Sequence, residues 1–229
     1  FGFPEVFAGL PPAPAGPVDP PSNRQVRRAM EASGPGTLRV VGRACDRIQN
    51  GSGFVVDPNH VVTNAHVVAG VTDPQVQQQG GDSFAATTVL FDPDLDLAVL
   101  RMEAAPADPL PMVEAALARR DRGAVLGYPG GGPLRARAAA VRRVMTAVGR
   151  DIYGRGTVRR EVYELQTRVR PGNSGGPFVD LDGRVAGVVF AASTTEEDVG
   201  YALTAAQVRP RIDRALGRTD PVGTGPCIR

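Results

Sequence analysis

Lysine is missing from this 229-residue chain; all 26 of its basic residues are arginine. That removes Walker-type phosphate loops, Schiff-base enzymes and serine–lysine hydrolases together. Tryptophan is also absent, aromatics reach only 5% and the formal net charge is +2. With no recognition motif besides, no nucleic-acid partner is expected. Only two histidines and two cysteines occur, with no CxxC pair and no HExxH, so no metal site and no cofactor are expected. No apolar run approaches the ~20 residues that a membrane helix needs. The longest, "VAGVVFAA" from Val185, reads as a buried strand. The chain opens on phenylalanine and carries no signal peptide, which fits a mature or excised fragment. An enzyme of this composition has little choice of general base: His60, His66 or a carboxylate.

Proline is concentrated at the start. Seven of the 21 prolines fall in the first 21 residues, which predicts an extended linker rather than a helix or central strand. "SNRQVRRAMEAS" then has a capping Ser22 or Asn23 and an apolar face of Val26, Ala29 and Met30, so a short helix is expected. From Thr37 onward, short apolar runs alternate with turn signals such as "QNGSG", "DPN", "DPD" and "YPGGGP". Eleven strands are expected, near 38–45, 53–56, 60–64, 86–91, 97–101, 123–126, 135–144, 161–167, 176–179, 185–190 and 200–203. Strands this short and this numerous mean an all-β sandwich or barrel. A last helix should start from Thr204 and stop at Gly217. Residues 135–170 carry net charge +7 and residues 73–108 net −6, as two subdomains flanking a cleft would.

"RVRPGNSGGPFVD" carries the chemistry. Glycine at this density costs backbone entropy unless something must approach the main chain closely. The amides of Gly172 and Ser174, with no side chains in the way, can form an oxyanion hole, and Ser174 supplies a nucleophile beside it. His66 is the better base. It follows an apolar strand, with small Ala65 on one side and Val67 and Val68 on the other, whereas His60 sits in the polar turn "DPNH" and reads as exposed. For the carboxylate that orients the base, "FDPDLDLAVLR" offers three aspartates. Asp92 and Asp94 bracket a turn proline. Asp96 opens an apolar strand that would carry it inward, where a charge needs a partner. The catalytic set is therefore His66, Asp96 and Ser174, whose chain order on an all-β protein points to two barrels.

Cys45 and Cys227 lie near opposite ends of the folded region. Two buried reduced thiols are one reading. A disulfide fits better, because "RTDPVGTGPCIR" has no core pattern to bury Cys227. Such a bridge is worth up to ~4–5 kcal/mol in the chain-entropy model and implies an oxidising compartment.

The segments "GSGFVVDPNHVVTNAHVV", "DPDLDLAVLR", "LGYPGGGP", "RPGNSGGPFVDLDGRVAGVVF" and "VGYALTAAQV" resemble those of trypsin-like serine proteases of the HtrA/DegP kind, over about residues 37–216. The resemblance implies a chymotrypsin-like double β-barrel with a short N-terminal helix and a C-terminal helix. Its parts would be a proline-rich linker and helix at 1–35, an N-terminal barrel at 36–118, a C-terminal barrel at 119–204, and a helix and tail at 205–229. It implies a serine endopeptidase acting on protein or peptide substrates in the periplasm or another extracytoplasmic space, in stress response, acid resistance or protein processing. It also implies a membrane tether ahead of the proline-rich segment. No PDZ domain of the kind found in typical HtrA proteins is expected within this fragment, and a monomer is expected of it.

Asn173 stands where secreted digestive relatives carry the aspartate that binds a freshly cut N-terminus, which argues against that activation route. Substrate should meet Arg168 and strand 187–192, pairing with Val188, Val189, Phe190 and Ala191 as an added strand. A small to medium apolar side chain is expected on the acyl side of the cut. Turnover should fall as acid protonates the imidazole, near pH ~6.5 for an ordinary histidine. The competing reading is a catalytically silent peptide-binding module that uses the same cleft.

Overall fold

The computed structural model describes residue 7 and residues 15–228. Most of the expected proline-rich linker lies outside them. Residues 15–21 have no regular secondary structure and lead into helix α1 (Asn23–Ser33). Ser22 caps it in a reciprocal box with Gln25, satisfying backbone donors that the first turn cannot pair internally.

Two curled sheets follow. The first contains β1 (Thr37–Ala44), β2 (Arg47–Asp57), β3 (His60–Thr63), β4 (Gln75–Gln77), β5 (Ser83–Ala85), β6 (Thr87–Asp92) and β7 (Leu97–Arg101). Its antiparallel order is β5-β4-β1-β2-β3-β7-β6, with the short helix α2 (Ala65–Val68) leaving the end of β3. The second is a closed barrel of β8 (Arg122–Gly127), β9 (Arg135–Gly149), β10 (Val158–Gln166), β11 (Pro177–Asp180), β12 (Val185–Ala192) and β13 (Val199–Thr204). Helix α3 (Ala205–Ala215) runs on from β13 and contains Pro210 without ending there.

One apolar cluster joins the two sheets. Phe54, Val62, Leu97 and Val99 of the first pack with Leu126, Val162, Val188, Phe190 and Leu203 of the second, all fully buried. Burial of this kind stabilises by roughly 1.5–3 kcal/mol per large side chain. It fixes the seam between the sheets, and the site lies at that seam. Cys45 and Cys227 form a disulfide. The tail is held further by Gly70 N donating to Thr224 O at 3.1 Å and Val222 N to Thr88 O at 2.9 Å.

Candidate active site

His66 is set by α2, a single helical turn whose other side chains Ala65, Val67 and Val68 are buried. Its ring is only slightly exposed and faces a cavity of about 240 Å³ lined by Ile48, Val67, Gly131, Gly172 and Ser174 among others. Asp96 grips this residue twice. Its Oδ1 accepts from the His66 backbone N–H at 2.9 Å, and its Oδ2 meets Nδ1 at 2.7 Å. That pairing assigns the proton to Nδ1 and leaves Nε2 as the acceptor. Asp96 itself is fully buried at φ 60°, a left-handed conformation uncommon outside glycine. Asn64 Nδ2, donating to the Asp96 carbonyl at 2.8 Å, helps hold it there. Asp92 instead accepts from Leu95 N at 2.9 Å within the turn and faces Arg211.

The Ser174 loop is built from its neighbours' hydrogen bonds. Asn173 N donates to Arg170 O at 3.0 Å, Asn173 Oδ1 accepts from Arg170 N at 3.0 Å, and Gly176 N donates to Asn173 O at 3.0 Å. Gly172 adopts φ +95°, and a Cβ there would lie 2.3 Å from Tyr128 O. Gly175 adopts φ +82°, and its Cβ would meet Ser52 O at 2.2 Å. Any other residue at either position would be strained and would push the neighbouring backbone away. Gly130 N donates to Pro171 O at 2.8 Å, so the trans peptide turns the Gly172 N–H the opposite way. Among the described residues neither the Gly172 nor the Ser174 amide has a hydrogen-bond partner. The Ser174 hydroxyl makes no hydrogen bond either, to His66 or to any other described residue.

Ser52 is a positioning residue that the sequence reading missed. Its Oγ donates to Gly172 O at 2.7 Å and accepts from Tyr128 N at 2.9 Å. Its N donates to Ser174 O at 2.7 Å, and its O accepts from Thr63 Oγ1 at 2.7 Å. One fully buried serine thus ties β2, β3, the turn that follows β8 and the Ser174 loop together. The only signal for it was a small residue between two glycines.

Several expectations need correction. His60 is buried rather than exposed, and its Nδ1 lies 2.9 Å from Asp57 Oδ1. The turn before it is polar, but His60 already belongs to β3, opposite Arg101, and its ring is away from the cavity. Arg168 is not at the cavity; its guanidinium pairs with Glu197 at 2.7 Å. Val188 cannot receive substrate, because it is flanked by Pro177 of β11 and Leu203 of β13. Val189 is also engaged, donating to Gly176 O at 2.9 Å and accepting from Gly175 N at 2.8 Å. Phe190 and Ala191 lie past the last β11 partner, so this edge of β12 is unpaired there among the described residues.

Residues 51–188 match the model of the trypsin-like peptidase domain family. The chain is 38% identical over 231 residues to the serine protease Rv3671c of Mycobacterium tuberculosis, covering 99% of this chain and 58% of that protein. It is thus a little over half the length of that relative. Protease Do-like 1, chloroplastic, of Arabidopsis thaliana is 32% identical over 176 residues, 73% of this chain and 39% of that one. The crystal structure of the Rv3671c protease from M. tuberculosis in its active form superposes with TM-score 0.91 at 37% identity, covering 97% of this chain and 99% of that chain. The inactive form of the Rv3671c protease gives TM-score 0.78 at 36% identity, covering 89% and 100%. By its matched segment and these relatives, this chain belongs to the trypsin-like peptidase family.

Proposed function

We propose that the chain is a serine endopeptidase that cuts proteins outside the cytoplasm through an acyl-enzyme. Ser174 Oγ attacks the scissile carbonyl carbon while His66 Nε2 takes its proton. The developing oxyanion is received by the Gly172 and Ser174 amides, and Asp96 stabilises the imidazolium. The intermediate collapses, His66 gives the proton to the leaving amine, and water activated by His66 then releases the acyl product. The observation that carries this reading is the double grip of Asp96 on His66, at 2.9 and 2.7 Å, beside the cavity that Ser174 lines. The disulfide supports an oxidising compartment.

One observation favours a silent peptide-binding module, namely the missing hydrogen bond between Ser174 and His66. Catalytic hydrogen bonds in ligand-free sites are commonly long and tighten in the substrate complex, so protease remains the better reading. A fluorophosphonate probe separates the two. Labelling of wild type and not of Ser174→Ala supports the enzyme; peptide binding without labelling supports the module.

A further inference from the structure

We propose that Arg142 and Glu164 form a binding site for an extended peptide main chain. It is filled here by the protein's own Ala15, and its filling positions the edge of β12 that receives substrate. The proposal rests on the protease reading above. It begins with a β-bulge. Glu164 of β10 faces Arg143, and Leu165 faces Val141, which leaves Arg142 as the extra residue of β9. A bulge re-aims side chains, and here Arg142 and Arg143 both reach Glu164, at 3.2 and 2.6 Å. Arg142 and Glu164 are only 3% and 2% exposed. A buried carboxylate between two guanidinium groups still has hydrogen-bonding capacity that burial makes costly to leave empty.

Ala15 uses that capacity on both sides. Its N–H donates to Glu164 Oε1 at 3.2 Å, and its carbonyl accepts from Arg142 Nη2. Both groups belong to the main chain, so the site recognises an extended backbone rather than a side chain. Two neighbouring contacts extend it: Arg119 Nη2 donates to Gly16 O at 3.3 Å, and Phe7 packs edge-on against Tyr201 with ring centroids 5.6 Å apart.

From there the structure leads to the substrate edge by two routes. Arg143, Glu164, Tyr201 and Ala191 are successive cross-strand partners on β9, β10, β13 and β12, and Ala191 lies on the unpaired edge. Arg142 Nη1 also pairs with Glu196 at 3.1 Å, in the β12–β13 turn. That turn is held from its other side by Arg168 on Glu197 at 2.7 Å and by Thr167 N donating to Asp198 O at 2.9 Å. It therefore stands between the Ala15 site and the segment that enters the Ser174 loop.

Ala15→Pro in the full chain tests this, because it deletes one N–H and leaves the buried charges intact. Phe7→Ala tests the second contact. The readouts are fluorophosphonate labelling of Ser174 and kcat/KM for two peptides, one with four residues on the acyl side of the cut and one with a single residue. The ratio of kcat/KM, long over short, should fall at least about tenfold in Ala15→Pro, the weight of one hydrogen bond to a charged group, and in the same direction in Phe7→Ala. A proportionate loss on both substrates, or no change in the ratio, overturns the proposal while labelling keeps the protease reading alive. Absence of labelling in wild type would remove both.

Discussion

Ser52 takes no chemical part in the proposed reaction, yet four hydrogen bonds converge on it. Ser52→Ala would strand the Gly172 carbonyl and the Tyr128 amide in a buried place, at about 1–3 kcal/mol for each such group. We expect a lower denaturation midpoint and a fall of at least about tenfold in kcat, with a smaller change in KM. A variant as stable and as active as wild type would remove Ser52 from the account. At His60 the turn residues were legible in the sequence and the burial was not, since one step from "DPN" into β3 reverses exposure. The His60 hydrogen bond is the largest influence holding the Asp57 carboxyl below its ordinary value. A depressed carboxyl contributes stability above its unfolded value and loses it as pH falls through the folded one. Asp57→Asn should therefore be less stable than wild type at neutral pH, with the gap closing below about pH 4. A gap that persists at pH 2 in urea titrations would contradict this.

Among the elements, the strands that alternate or run fully apolar were readable, and those that break the pattern were not. β4 and β5, three residues each and largely polar, gave no periodic signal. The first half of β2, "RIQNGSG", reads as a turn because asparagine and glycine dominate it. In the structure these residues pair with β1, and Gly51 is small because Val67 and the Ser174 carbonyl press against it. The glycine that marked a turn in the sequence marks a close approach in the fold. The Ser174 loop was legible for the same reason: its glycines have a chemical use. Gly172→Ala should strain the loop and displace one oxyanion donor. We expect kcat to fall by about 10²–10³, with labelling of Ser174 slowed alongside; wild-type kcat in this variant would show that the amide is not used.

At the scale of the whole molecule, the charge asymmetry was visible and its meaning only partly so. In the sequence the arginine-rich stretch 135–170 reads as net positive charge on one of two subdomains. Instead Arg142 and Arg160 are buried, Arg143 and Arg168 pair with Glu164 and Glu197, and Arg160 lies over the Phe190 ring at 5.8 Å. Sequence gives the charge total, whereas pairing depends on the bulge in β9, which no pattern announces. The link between chain ends was legible from the tail's lack of core pattern. Because the bridge spans 182 residues, Cys45→Ser with Cys227→Ser should lower unfolding free energy by up to ~4–5 kcal/mol. Denaturant unfolding with and without reductant measures it, and equal midpoints for wild type and the double variant would contradict the assignment.

The central claim is a hydroxyl activated by a carboxylate-held imidazole. It is tested most directly by mapping the fluorophosphonate adduct by mass spectrometry in wild type and His66→Ala. The account predicts a single adduct on Ser174, with the labelling rate reduced at least about a thousandfold in His66→Ala. An adduct on another residue, or equal rates in the two proteins, would contradict it.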